Sequence, residues 1–144
     1  MSGAYGRVLV VDDNKVIRQL IRVNLELEGF EVVTAADGVD CLDLVHRIRP
    51  DVITLDVVMP RLGGLETASV LRSDPRTRHV PIAVISACTP HEVGAGASAG
   101  VDAFLAKPFE PSELVRMVHR LATGEERPSV DGRSGAGRAG STTG

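Results

Sequence analysis

Val8-Leu9-Val10-Val11-Asp12-Asp13 and Val52-Ile53-Thr54-Leu55-Asp56 are two short apolar runs that each end in carboxylates. Short runs rich in β-branched residues, separated by segments of helical length, are typical of buried strands in a parallel sheet. Two later runs have the same form but end in a hydroxyl, at Ser86, and in an amine, at Lys107. Because sites in open α/β sheets form beyond the carboxyl ends of the strands, we expect these polar side chains to converge there.

The rest of the pattern predicts five strands that alternate with five helices. The predicted strands are Arg7–Val11, Glu31–Ala35, Asp51–Leu55, Ile82–Ser86 and Ala103–Leu105. Apolar residues recur at helical spacing between them, and the first helix, over Asn14–Glu28, is expected to end at Gly29. Alternation at these lengths predicts an α/β domain, with a parallel sheet covered by helices on both faces and joined by right-handed crossovers.

Composition restricts the function classes. The chain has 144 residues, of which 43% are hydrophobic, and a formal net charge of −3. No apolar run approaches the roughly 18 residues of a membrane span, and the N-terminus lacks the layout of a signal peptide. An acidic balance without a basic block argues against binding to a phosphate backbone. We therefore expect a cytoplasmic protein that binds neither membranes nor DNA directly.

The chain divides into three predicted parts. Residues 1–6 form an extension, residues 7–122 a single domain and residues 123–144 a tail. Beyond Gly124, small and polar residues dominate, so the tail is expected to be disordered because it cannot offset its ordering entropy. The tail also lacks the apolar periodicity of a helix-turn-helix effector. The alternative that the chain is a fragment of a longer protein stays open.

The polar side chains at the strand ends form a chemically specific set. Clustered carboxylates repel one another unless a divalent cation joins them, and a nearby ammonium can attract an incoming anion. Lys107 stands out because the chain uses arginine at fourteen of its sixteen basic positions. The set predicts a pocket for magnesium and a phosphoryl group. An alternative role for Asp12 and Asp13 is to cap the first helix, which Asn14 could also do.

The order of these motifs resembles that of the response-regulator receiver domain of bacterial two-component signalling. The resemblance covers about Arg7 to Ala122 and rests on four motifs: Asp12-Asp13, Asp56-x-x-Met59-Pro60-x-x-x-Gly64, Ser86-Ala87 and Lys107-Pro108-Phe109. It implies a flavodoxin-like sheet of strand order 2-1-3-4-5. It also implies phosphorylation by a histidine kinase or phosphotransfer protein, followed by docking to a downstream protein.

The resemblance assigns roles to the carboxylates. Asp56 matches the phosphoacceptor, and Asp12 and Asp13 match magnesium-binding acids. The metal set would be completed by Asp56 itself and by the backbone carbonyl of Val58. A carboxylate is a weak nucleophile, so its attack on a phosphoryl donor depends mainly on charge neutralisation.

The resemblance also assigns roles at the later strands. Lys107 would contact a phosphoryl oxygen, and Pro108 matches a cis-proline that turns this lysine inward. Ser86 and Phe104 match a switch pair, in which the hydroxyl binds the phosphoryl group and the ring turns from solvent to interior. Phenylalanine has no hydroxyl to satisfy in the outward state, which favours the inward rotamer before phosphorylation.

The segment after Ser86 departs from the family pattern. Ser86 and Lys107 are separated by 21 positions, one fewer than expected, and glycines recur between Gly94 and Gly100. Each interior glycine costs about 1 kcal/mol relative to alanine. Thr89-Pro90-His91-Glu92 resembles a capping box. We therefore expect a short or labile fourth helix.

Two residues bear on how long a phosphorylated state would last. In receivers, the positions two after the phosphoacceptor and two after the switch hydroxyl frame the approach of the hydrolytic water. Here they are Val58 and Cys88, neither of which orients water well, so slow dephosphorylation is expected. The alternative function is that of a haloacid-dehalogenase-like phosphohydrolase. Enzymes of that class carry an Asp-x-Asp motif at the nucleophile, in which the second acid donates a proton, and here Val58 stands at that second position.

Overall fold

The computed structural model of the chain describes residues 5–87 and 100–124, which contain five strands and four helices. The strands are β1 (Arg7–Val11), β2 (Glu31–Ala35), β3 (Val52–Leu55), β4 (Ile82–Ser86) and β5 (Ala103–Ala106). The helices are α1 (Lys15–Leu27), α2 (Gly38–Ile48), α3 (Gly64–Ser73) and α4 (Pro111–Thr123). All strand pairs are parallel, in the order β2-β1-β3-β4-β5. The predicted α/β fold and its strand order are confirmed.

The sheet is buried on both faces, which explains why its central strands are continuously apolar. Val8 and Val10 of β1 pack in a core with residues of α1 and α4, whereas Leu9 and Val11 pack in a second core with residues of α2 and α3. Successive side chains of a strand point to opposite faces. A strand with a helix layer on each side therefore needs apolar residues at every position.

Asn14 is the N-cap of α1. Its side-chain oxygen accepts hydrogen bonds from the backbone N–H groups of Val16 and Ile17, at 2.9 and 3.0 Å. This is the usual way in which an Asn satisfies the free amides of a first turn. The N-cap alternative for Asp12 and Asp13 is therefore wrong, and both carboxylates need another explanation.

Two predicted strand boundaries shift by one residue, and the structure gives the end of the last helix. Strand β3 begins at Val52. Asp51, just before it, makes two hydrogen bonds with the backbone of Arg7: its N–H donates to the carbonyl at 2.7 Å and its carboxylate accepts from the N–H at 2.8 Å. Strand β5 continues to Ala106, and the last helix continues to Thr123. That helix ends where Gly124 adopts the left-handed conformation, at φ 73°, which favours glycine. The helix thus ends one residue after position 122, the predicted end of the domain.

Tyr5 lies before the predicted start of the domain at residue 7, but its ring packs against two residues of the domain. Its ring is 5.7 Å from that of Phe30 and 4.6 Å from that of His119, measured between centroids. Aromatic rings at such distances attract one another. Tyr5 therefore contacts the aromatic residues of α4 and of the segment before β2, while about half of it stays exposed.

Some predictions concern residues outside the described part of the chain. These are the short fourth helix, Cys88 and nearly all of the tail, which fall in residues 88–99 and 125–144. Among the helices of the described residues, none is long and apolar enough to cross a membrane.

Thr54 leads to a stability prediction. Its hydroxyl is a buried side-chain oxygen for which the described residues supply no hydrogen-bond partner, whereas the buried hydroxyl of Thr67 donates to the carbonyl of Gly63 at 2.7 Å. An unpaired buried hydroxyl is destabilising, whereas a paired one contributes stability. We expect Thr54→Val to raise the free energy of unfolding by about 1 kcal/mol and Thr67→Val to lower it by about 1 kcal/mol. Urea unfolding measures both; a loss of stability in Thr54→Val would contradict the first.

Candidate functional site

Three carboxylates meet at the carboxyl ends of two adjacent strands. Strands β1 and β3 pair in register up to Val11 and Leu55, so the residues that follow, Asp12, Asp13 and Asp56, emerge side by side. One oxygen from each lies within 4.8 Å of the others. Asp12 and Asp56 are buried, at 1% and 9% exposed, whereas Asp13 is exposed. The topology thus builds an acidic pocket with one solvent-facing side.

Lys107 enters the same pocket from the end of β5. Its Nζ lies 2.9 Å from Oδ2 of Asp12 and 3.5 Å from Oδ2 of Asp56. Its backbone N–H donates to the carbonyl of Ser86 at 2.9 Å, and the peptide bond between Lys107 and Pro108 is cis, the isomer that the resemblance implied. The lysine is thus held by its backbone at the strand end while its ammonium reaches the acids.

The electrostatics of the pocket favour a further cation. Burial, followed by the charge of Asp12, raises the pKa of Asp56, and the ammonium of Lys107 only partly opposes this rise. One lysine therefore does not balance three clustered carboxylates. Carboxylate oxygens are the ligands that Mg²⁺ prefers, and at least one side of the pocket is open to its waters. The donor set of this pocket fits magnesium.

Two backbone contacts hold the end of β3 and Asp56 in place. The Val57 N–H donates to Oδ1 of Asp56 at 2.8 Å, and the Gly64 N–H donates to the Val57 carbonyl at 2.9 Å. A β-carbon on Gly64 would lie only 2.0 Å from the backbone oxygen of Asp56. Only glycine allows so close an approach, and the start of α3 therefore packs directly on the backbone of Asp56.

Ser86 and Phe104 lie on the two strands beyond the acids. Ser86 is buried at the end of β4, where it pairs with Ala106 of β5, and Phe104 pairs with Val84. Phe104 is half-buried, so it is not fully enclosed. The fold thus places Ser86 at the same sheet end as the carboxylates, and the preference of Phe104 for an inward rotamer stays a prediction.

Two arginines near the site were missed by the sequence analysis. The guanidinium of Arg18 donates to the backbone oxygen of Asp12 at 2.8 Å. The guanidinium of Arg61 contacts the buried carboxylate of Asp37 at 2.7 Å. Arg61 and Asp37 are 24 residues apart and belong to no shared motif, so only the folded chain shows that they meet.

A parallel sheet with three carboxylates, a lysine and a buried serine at the carboxyl ends of its strands defines the class of signalling domains that are phosphorylated on aspartate. Residues 8–119 match the family described as response regulator receiver domain. The chain belongs to this family of two-component signalling proteins, which confirms the resemblance.

Individual relatives agree with this assignment. The chain is 44% identical over 116 residues to response regulator MprA of Mycobacterium sp. (strain KMS), covering 80% of this chain and 50% of the relative. MprA of Mycobacterium leprae is 43% identical with the same coverage. The structure of chemotaxis response regulator CheY4 of Vibrio cholerae superposes with a TM-score of 0.75 at 35% identity, covering 80% of this chain and 97% of that one. The chain spans about half the length of the curated relatives it matches.

Proposed function

We propose that Asp56 accepts a phosphoryl group from a histidine kinase or phosphotransfer protein and that this switches a protein-docking surface. The observation that carries the proposal is the position of the Lys107 ammonium, within 3.5 Å of carboxylate oxygens of both Asp12 and Asp56. A cation so placed can contact an oxygen of a phosphoryl group arriving at Asp56. The haloacid-dehalogenase-like alternative is not proposed, because Val58 offers no second acid and the chain belongs to the receiver family.

The residues of the pocket would have different roles in phosphoryl transfer. A carboxylate oxygen of Asp56 forms the new bond to phosphorus while the bond to the donor's leaving group breaks. Asp12, Asp13, Asp56 and the Val58 carbonyl would hold Mg²⁺, which supplies charge neutralisation when bound. Lys107 would shift part of its hydrogen bonding from the acids to a phosphoryl oxygen.

Ser86 would respond to the phosphoryl group on Asp56. Its hydroxyl lies at the end of β4, on the neighbouring strand to Asp56, and donation to a phosphoryl oxygen would draw the following loop toward the pocket. The inward rotamer of Phe104, on the next strand, would then be stabilised further. This pair is the proposed switch that couples phosphorylation to a downstream protein.

Helix α1 offers a surface for the phosphoryl donor. Four apolar side chains on its outer side are between 42% and 80% exposed: Val16, Leu20, Val23 and Leu27. At 3.6 residues per turn, these four residues fall within an arc of about 60° on one face of the helix. Ile21 and Leu25 lie on a different face, which packs on the core. Their 4-3-4 spacing is that of residues that pack against a second helix. Because α1 starts two residues after Asp13, a donor helix seated on this α1 stripe would lie beside the pocket.

Phosphorylation by a small donor tests the proposed function. Incubation of the full chain with acetyl phosphate and Mg²⁺ is expected to add the mass of one phosphoryl group, because the pocket itself supplies the neutralising charges. Chelation of Mg²⁺ should prevent the addition, as intact-protein mass spectrometry can show. Equal labelling after chelation would contradict the proposed role of the carboxylates.

The lifetime of the phosphorylated state leads to a further prediction. The Val58 side chain is 68% exposed beside Asp56 and has no group that can orient a water molecule. We expect slow dephosphorylation, and we expect Val58→Asn to accelerate it by about tenfold because an amide can place the water for attack. Loss of the phosphoryl mass with time gives both rates, with Val70→Asn on α3 as the control. An unchanged or slower rate in Val58→Asn would contradict the water-positioning argument.

A further inference from the structure

Arg61 joins the loop after the phosphoacceptor to the start of α2. Its Nε donates to Oδ2 of Asp37 at 2.7 Å, and its Nη2 donates to Oδ1 of Asp37 at 3.1 Å and to Oδ1 of Asp40 at 3.2 Å. Two parallel hydrogen bonds between a guanidinium and one carboxylate are stronger and more directional than a single charge contact. We call this three-residue arrangement the Arg61 clamp.

The acid in the clamp is a fixed support. Asp37 is 5% exposed and is the N-cap of α2, where its side chain accepts a hydrogen bond from the Asp40 N–H at 2.9 Å. The hydrogen bond from Arg61 lowers the pKa of Asp37 below its ordinary value. The carboxylate is thus anchored to a helix end and charged, so it restrains Arg61 rather than following it.

The backbone of Arg61 is held in an unfavourable conformation. Its φ is +66°, in the left-handed region, although it carries a full side chain. Such a residue keeps that conformation only when surrounding contacts determine it. Within the described residues, the side-chain hydrogen bonds of Arg61 are those of the clamp. A backbone hydrogen bond also closes the turn across Arg61, from the Leu62 N–H to the Pro60 carbonyl at 2.7 Å. The clamp therefore adds the side-chain support that offsets the backbone strain and stabilises this form of the loop.

The same loop is held at other points by backbone contacts. The Gly38 N–H donates to the carbonyl of Leu62 at 3.1 Å, directly beside the clamp. A β-carbon on Gly38 would approach this carbonyl to 2.6 Å, so the two loops touch through their backbones. At the other end, the hydrogen bond between Gly64 and Val57 closes the loop onto the phosphoacceptor strand. Between these points lies Val58.

We infer that Arg61 is a positioning residue for the metal site, because its clamp on Asp37 and Asp40 holds the loop that carries Asp56 and Val58. The inference rests on the proposed function, in which the Val58 carbonyl and the Asp56 carboxylate bind Mg²⁺. Without the clamp, the left-handed turn at Arg61 is free to relax, and the loop samples positions in which these two ligands no longer face Asp12 and Asp13. Metal binding must then restore the order.

The test measures Mg²⁺ affinity directly, by isothermal titration calorimetry of the unphosphorylated full chain. Arg61→Gln removes the charge, and Arg61→Gly removes the charge and also suits a positive φ. We expect both to raise the Mg²⁺ dissociation constant about tenfold or more, as when the supporting partners of metal ligands are lost. Asp40→Asn, which removes only one arm of the clamp, should give a smaller rise.

Arg76→Gln is the matched control. Arg76 also makes a two-nitrogen contact with one carboxylate, that of Asp74, at 3.1 and 3.2 Å, but it lies after α3 and outside the loop of Asp56. The Mg²⁺ dissociation constant of Arg76→Gln should stay within about twofold of the parent value, because an exposed ion pair outside this loop contributes little to the stability of the fold. A merely general loss of stability would affect both arginine variants alike.

Phosphorylation by acetyl phosphate gives the second measurement. At saturating Mg²⁺, Arg61→Gln should recover a rate close to that of the parent, because the metal then restores the loop. An unchanged Mg²⁺ dissociation constant in folded Arg61→Gln would overturn the inference, and if that variant does not fold, the same result in Arg61→Gly or Asp40→Asn would do so. Failure of the parent itself to bind Mg²⁺ or to accept a phosphoryl group would instead overturn the proposed function.

Discussion

Asp56→Asn is expected to abolish phosphorylation by acetyl phosphate and by any histidine kinase, a loss of more than about a thousandfold. The substitution replaces the nucleophilic oxygen by an amide and leaves the shape of the side chain almost unchanged. Because Lys107 and Asp12 stay in place, the pocket should still attract a phosphoryl donor but have nothing to accept its phosphoryl group. Intact-protein mass spectrometry measures the loss.

Asp56→Asn should also change the stability of the domain, and here the substitution is expected to be favourable. Burial and the charge of Asp12 raise the pKa of Asp56, so its ionised form is less favourable in the folded chain than in the unfolded one. Neutralising it should therefore raise the free energy of unfolding in the absence of Mg²⁺. Asp43→Asn, the same change at an exposed position on α2, should affect neither labelling nor stability. Labelling of Asp56→Asn at the parent rate would contradict the assignment of the phosphoacceptor.

Leu20→Asp is expected to slow phosphotransfer from a histidine kinase by about thirtyfold or more while leaving acetyl phosphate labelling unchanged. Leu20 lies in the middle of the α1 stripe, and truncation of a central apolar contact commonly costs an interface about 2 kcal/mol. A charge there also places an unpaired carboxylate in the contact. A small donor needs no docking surface, so its reaction should not respond.

The kinase for this measurement is the one that phosphotransfer profiling of the purified protein selects. Val70→Asp is the matched control, because Val70 is an exposed valine on α3, a helix that packs on the other face of the sheet. Equal loss in both variants would indicate a nonspecific effect of charge. Unchanged kinase transfer in Leu20→Asp would show that the donor docks elsewhere on the domain.

The agreement between sequence and structure was closest where local pattern and burial act together. The apolar runs of β1 and β4 have the predicted bounds, and Asn14 caps α1 at one of the positions considered. A buried parallel strand must be apolar throughout, and a helix start must satisfy its free amides, so both leave a mark in a short stretch of sequence. Burial also decides the chemistry of Cys41 on α2, since it raises the pKa of this thiol to about 12.

The errors occurred where a distant residue decides a local outcome. Asp51 lies outside β3, and both its backbone N–H and its carboxylate form hydrogen bonds with the backbone of Arg7, 44 residues earlier. Tyr5 packs against the rings of Phe30 and His119, which are also remote in sequence. Neither contact follows a sequence period, so no local rule could have placed them.

The sequence by itself determined the fold class and the chemical identity of the acids and the lysine, because strand ends in a parallel sheet come together whatever the loops do. The strand order was predicted from the resemblance of its motifs to those of receiver domains. Only the tertiary structure decided how these groups are held: that Lys107 contacts Asp12 more closely than Asp56, that Gly64 lies against the backbone of Asp56, and that Arg61 is clamped to Asp37. These are distances between parts of the chain that are remote in sequence, and they are set by packing and directional hydrogen bonds rather than by residue type.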